Sequence, residues 1–151
     1  MKNLVKQLFS KEDLSSIATA IGEAEKTTAG EIRVSIRQRR KWREKKNTLE
    51  QIARQEFHLL GMTKTKDRTG ILIFLLLEDK KFFILADEGI HSKVEDGTWT
   101  AIADKMSAHF AQKNFQLGIL HGVHSVGTEL SKFFPRKSDD TNELPNDVHV
   151  R

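Results

Sequence analysis

The sequence predicts a three-layer α/β/α domain, and three observations carry that expectation. Residues 71–77 (Ile-Leu-Ile-Phe-Leu-Leu-Leu) are apolar at every position, the pattern of a central strand covered on both faces. Segments with apolar residues at helical spacing lie before and after that run. The short Glu78-Asp79-Lys80 stretch then separates it from a second β-type run over 82–86, as a hairpin requires.

The elements follow in order. Ser10 with Asp13 three residues later forms an N-cap with an acid in the first turn. Leu14, Ile17, Ala18 and Ile21 continue as one apolar helix face, and the helix ends near Lys26. Thr27 to Gly30 break it. Ile32, Val34 and Ile36 then alternate with Arg33, Ser35 and Arg37, the period of a half-buried strand. Leu49, Ile52, Ala53, Phe57 and Leu60 mark a second helix, with Gly61 at the expected left-handed C-cap. After the hairpin, Trp99, Ile102, Ala103, Met106 and Phe110 share one helix face. A longer helix runs from Phe115 to Phe134 and stops at Pro135. Residues 1–135 are therefore expected as one domain, and the polar residues 136–151 as a mobile tail. A helix between the first two strands permits a right-handed parallel crossover, and the hairpin adds an antiparallel strand. The expected sheet is mixed, mostly parallel and Rossmann-like.

Composition narrows the chemistry. The 151 residues suit one domain, and the absence of cysteine excludes thiol nucleophiles and Cys-ligated metals. No apolar run reaches the roughly 18 residues of a membrane span, and Lys6 and Lys11 interrupt the N-terminal apolar positions where a signal peptide would need continuity. A cytoplasmic location is the default expectation. Net charge is +4, and eight Lys or Arg fall between Arg33 and Lys46 against one acid, Glu44.

The topology also places acids. Two parallel strands begin at one end of the sheet, and the third strand finishes there. Glu31 opens the first strand, Asp67 precedes the second, and Asp87 and Glu88 follow the third, so four carboxylates converge. Clustered carboxylates repel one another, and a hard cation is the usual remedy. Calcium accepts six to eight oxygens in loose geometry and suits a loop with free carbonyls, here residues 65–69; magnesium is the alternative. The competing reading is that these are solvated strand-end acids, neutralised by Lys66 and Arg68.

Several short motifs carry a family resemblance. Gly30-Glu31-Ile32-Arg33-Val34, Leu60-Gly61-Met62 with Thr65, Gly70-Ile71-Leu72-Ile73, Asp87-Glu88-Gly89-Ile90 with Trp99, and Phe134-Pro135 with Asp140 and Asn142-Glu143-Leu144-Pro145 occur in that order. Together, over about residues 10 to 148, they resemble the TPM-domain family, in its bacterial branch without signal peptide or membrane anchor. The resemblance implies an α/β/α sandwich and, for some members, calcium held in loops at the sheet end. It also implies two lines of activity: an acid phosphatase described for a plant thylakoid relative, and accessory subunits of membrane complexes. Asp67 and Asp87 carry over as ligand positions, followed by Glu88, where the branch's motif has Lys. Glu31 belongs to the motif but is equally suited to a structural ion pair.

Other constellations are thinner. A phosphatase needs a nucleophile or metal-activated water together with cationic groups for the phosphoryl charge; a metal on Asp67 and Asp87 beside Lys66 or Arg68 is the one candidate arrangement. His121 and His124 stand three apart on a helix, a spacing that can share zinc but more often marks hydrogen-bonding histidines. Gly118, Gly122 and Gly127 in that helix point to close packing. Arg37, Arg39, Arg40, Lys41, Trp42 and Arg43 have the content of a polyanion or membrane-surface contact, against the plainer reading of a solvated loop. No helix-turn-helix, RNP motif or zinc finger supports nucleic-acid reading. The favoured expectation is a calcium-binding, non-enzymatic interaction module with a protein partner; the alternative is a metal-dependent phosphatase at the same acids.

Overall fold

The computed structural model describes residues 3–65, 67–136 and 144–151. Its elements run α1 (Leu4–Leu8), α2 (Lys11–Glu25), β1 (Glu31–Arg37), α3 (Leu49–Leu59), β2 (Gly70–Leu76), β3 (Lys81–Ala86), α4 (Glu88–His91), α5 (Thr98–Ala111), α6 (Phe115–Phe133) and β4 (His149–Val150). The sheet order is β3-β2-β1-β4. β1 is parallel to both β2 and β4, while β2 and β3 form the antiparallel hairpin. The expected mixed, mostly parallel α/β/α sandwich is the fold observed.

The sheet's two faces account for the layers. Ile32, Val34, Ile36, Ile71, Ile73 and Leu75 project to one side and pack with Ile17, Ile21, Met106, Ile119, Val123, Val126 and Leu130 of α2, α5 and α6. Leu72, Phe74, Leu76 and Leu85 project to the other side and meet Ile52, Ala53, Phe57 and Met62. β2 thus buries both faces, which is why its sequence shows no alternation. Ser10 and Asp13 form a complete capping box on α2, and Thr48 and Gln51 do the same on α3. Gly61, at φ 75°, ends α3 and turns the chain so that Met62 drops into the core.

The three glycines of α6 have the expected packing role. A Cβ on Gly118, Gly122 or Gly127 would lie within 2.4 Å of Phe110, 2.6 Å of the Met106 sulfur and 2.8 Å of the Ala24 Cβ. The helix therefore lies closer to α5 and α2 than a larger residue permits.

One element is added to those expected, and one expectation is corrected. The N-terminal residues form a short helix, α1, capped by the Asn3 side chain and anchored by buried Val5 and Phe9. The expected tail, 136–151, includes a strand of the domain. Its residues 137–143 lie outside the described residues, but His149–Val150 complete the sheet beside β1. Val148 and Leu144 pack on the two apolar clusters. Arg151 pairs with Glu56, which is fully buried, and also accepts a hydrogen bond from the Gln38 N–H at 3.0 Å. Backbone pairing and a buried counter-charge anchor a segment whose composition is polar.

Candidate functional site

The acidic end is built where β1 and β2 begin and β3 finishes. Glu31 aligns with Gly70, Ile71 aligns with Ala86, and the Asp87 N–H donates to the Gly70 carbonyl at 2.9 Å. The loop before β2 lies directly against the turn after β3. Gly89 allows that approach: a Cβ there would stand 2.5 Å from the Asp67 carbonyl oxygen and 2.7 Å from that of Arg68. The Gly89 N–H instead donates to the Arg68 carbonyl at 3.0 Å.

Asp87 is the fixed point of this end. It is buried, caps α4 by accepting from the Glu88 N–H at 2.8 Å, and receives Arg68 in a two-pronged ion pair, Nε at 2.9 Å and Nη2 at 3.0 Å. Arg68 holds this position from a left-handed backbone, φ 55°, that few non-glycine residues adopt. The hydrogen bonds and charge of Asp87 raise the guanidinium pKa still further. Nearby on the same loop, the Thr65 hydroxyl is buried without a hydrogen-bond partner.

The remaining acids disperse. Asp67 and Glu88 are exposed on the two apposed loops. Glu31 is buried and turns toward Glu25 at the end of α2 instead. Among the described residues, no three His, Cys, Asp or Glu side chains form a group able to hold a metal ion. The four-carboxylate convergence is thus corrected: the backbone brings the acids to one end, but Arg68 neutralises Asp87 and Glu31 faces the interior. Lys66, the other expected counter-charge, lies outside the described residues.

Glu25 is the ionisable group that sequence patterning missed. Its Oε2 accepts the Ile32 N–H at 2.8 Å, tying α2 to the start of β1. Burial, together with the adjacent Glu31 carboxyl, pushes its pKa up to about 8, against the backbone hydrogen bond and the Arg136 charge, which favour ionisation. An acid in the last turn of a helix opposes the helix dipole, and this was the available signal.

At the other end of the sheet, the basic segment divides. Arg37 is buried against Glu44 and Glu56, with its guanidinium over the Phe74 ring at 5.5 Å. It is therefore removed from the proposed polyanion surface. Burial works against the Glu44 charge, but donors from the Lys41 backbone and Arg37 outweigh it and lower its pKa. Arg39 pairs with Glu78 at 3.4 Å and Arg40 with Asp79 at 2.7 Å, fastening the segment to the β2–β3 turn. Lys41 and Arg43 remain exposed, and Trp42 is 80% exposed. The expected surface is therefore reduced to part of its residues. His121 sits near Ser125 and against the His109 ring, with its pKa lowered by burial and by Lys105. His124 joins no metal-holding group among the described residues.

These features define a class: a small mixed-sheet α/β sandwich whose apposed loops at one sheet end carry the acids. The chain belongs to the TPM domain family, whose profile matches residues 4–129. It is similar to the BA42 protein from the psychrophilic bacterium Bizionia argentinensis, with 36% identity over 95% of each chain and a TM-score of 0.85. Two more distant structures share the fold. The N-terminal domain of a protein from P. gingivalis is 22% identical over 84% of this chain and 79% of that one, with a TM-score of 0.67. The N-terminal domain of the cg2496 protein from Corynebacterium glutamicum is 16% identical over 89% and 81%, with a TM-score of 0.62. No curated protein matches the chain. Among the described residues, no helix is long and apolar enough to cross a membrane.

Proposed function

We propose that this TPM domain is a non-enzymatic interaction module whose acidic end responds to calcium. The observation that carries the reading is the Arg68–Asp87 pair, which joins two loops through a carboxylate that a cation can contest. The donor types suit a hard ion: Asp87, Asp67 and Glu88 offer carboxylates and Thr65 an orphaned hydroxyl, all oxygen ligands that calcium would have to draw together. Glu31 is not part of this set. Calcium would supply a charge that competes with Arg68 for Asp87. Releasing that guanidinium changes the surface offered to a protein partner, including one in a membrane complex.

The phosphatase alternative draws on the same pair. Phosphoryl transfer at this end would need Asp87 as a metal ligand and Arg68 free for the phosphate charge. A cation that displaced Arg68 would create that arrangement, so turnover is what separates the two readings.

The test is a calcium titration followed by amide NMR, with magnesium as control and p-nitrophenyl phosphate hydrolysis measured alongside. Saturable shifts confined to residues 65–69 and 87–91, absent in Asp87→Asn, support the cation site. No shifts at millimolar calcium refute it. Metal-dependent turnover that is lost in Asp67→Asn would overturn the non-enzymatic reading.

A further inference from the structure

We infer that the opposite end of the sheet holds a binding groove for a single-chain amphiphile with an anionic head, of the fatty-acid class. A groove of about 730 Å³ opens there between α1, the β2–β3 turn and the junction of α5 with α6. That volume lies within the usual range of small-molecule sites. Leu4 and Leu8 of α1 line one side, and Leu77 and Phe82 of the hairpin line the floor. Phe110 and Phe115 close the far wall, in a ring cluster in which Phe110 meets Phe82 edge-on at 5.1 Å and Phe115 at 5.9 Å. All six are only partly buried, so the groove leaves a run of apolar surface facing water.

The rim gives this surface its polarity. Lys80, Lys81 and Lys113 border the groove and are exposed. Glu78 borders the groove as well, but it is paired with Arg39, and Asp79 of the same turn with Arg40, so the three lysines leave the rim net positive. Ser107 is the one uncharged polar side chain among the described residues that line the groove.

Backbone geometry adds an independent observation. Lys80 and Lys113 have φ values of 54° and 64°, which makes them two of the three non-glycine residues with positive φ among the described residues. Lys80 closes the hairpin turn, its N–H donating to the Leu77 carbonyl at 3.0 Å. Lys113 follows α5, its N–H donating to Phe110 and the Asn114 N–H to His109, both at 2.9 Å, an arrangement in which this position is usually glycine. Glycine would be unstrained at both sites. Lysine instead places an ammonium at each side of the groove mouth, and strained backbone of this kind concentrates at ligand sites. An acyl chain fits the leucine and phenylalanine walls, and a carboxylate head fits the lysine rim.

The test is titration of the full chain with sodium dodecanoate below its micelle concentration, followed by amide NMR. Dodecanol and dodecyltrimethylammonium serve as controls. The expected result is saturable shifts at residues 4–8, 77–82 and 110–115, with dodecanol at least about tenfold weaker. The double variant Lys80→Gly/Lys113→Gly is expected to be as stable as the wild type or more so, yet to bind dodecanoate about tenfold more weakly. The inference is overturned by an absence of saturable shifts, by equal binding of all three amphiphiles, or by a double variant that binds as the wild type does. Binding confined to anionic phospholipid vesicles or to an acidic amphipathic peptide overturns it too, because the groove would then belong to a macromolecular surface. None of these outcomes bears on the calcium site, which lies at the other end of the sheet.

Discussion

Replacing Glu25 by Gln isolates the energetic effect of the buried Glu25–Glu31 pair. Burial and the neighbouring carboxyl raise the Glu25 pKa from 4.5 to about 8. The folded protein therefore keeps a proton that the unfolded chain releases. Stability from this source is greatest at pH below 4.5, falls as pH rises, and is fully lost near pH 8. The full shift corresponds to about 5 kcal/mol, an upper limit because the proton belongs to the pair. Gln mimics the protonated acid: its carbonyl accepts the Ile32 N–H, and its amide can donate toward Glu31. Urea unfolding of both proteins at pH 5, 7 and 9 should give Glu25→Gln an advantage that grows by about 2–5 kcal/mol across the series. His121 and His149, whose pKa values burial lowers, contribute the opposite slope, but equally in both proteins. The difference between the two curves is thus the informative quantity. If they run parallel from pH 5 to 9, Glu25 is ionised in the fold and the reasoning fails.

Three further outcomes can be checked. Arg68→Asn, which tolerates the left-handed backbone and frees Asp87, should tighten calcium binding about tenfold in a calorimetric titration; unchanged or weaker binding would show that Arg68 does not compete with the ion. Gly89→Ala should cost about 1–3 kcal/mol in chemical denaturation, because the Cβ meets two backbone oxygens that cannot rotate away, and wild-type stability would mean that the two loops separate freely. Glu56→Ala removes the partner of Ser35, Arg37 and Arg151 and should destabilise by about 3–5 kcal/mol. It should also abolish amide-exchange protection at Arg151, whose N–H donates to the Ile36 carbonyl at 3.0 Å, whereas retained protection would show that β4 is held without the ion pair.

The parts legible in the sequence were those in which one residue's environment repeats along an element. β2 could be recognised because both its faces are covered, and α3 because its apolar stripe faces a single layer. The sheet end that carries the acids followed from strand direction alone. The partner of each acid did not, because the Arg68–Asp87 pair depends on a left-handed residue and a close loop approach, neither of which has a periodic signature. β4 escaped notice for a related reason. Two residues with a histidine between valines offer almost no pattern, and they are held by pairing to β1 and by Arg151 reaching Glu56. α1 is only five residues long and shows about one turn of periodicity.

The late position of β4 in the chain has a consequence for folding order. Until residues 149–150 dock, β1 is an edge strand, with unpaired N–H and carbonyl groups along part of its length and Glu56 lacking one of its cationic partners. An intermediate with every other element in place therefore presents a template for strand pairing between molecules. Crowded refolding should favour association through β1, and a peptide spanning residues 144–151, supplied in excess, should compete with it. The closing strand thus acts as a built-in blocker of sheet-to-sheet association, and any extension added after Arg151 must leave it free to reach its slot.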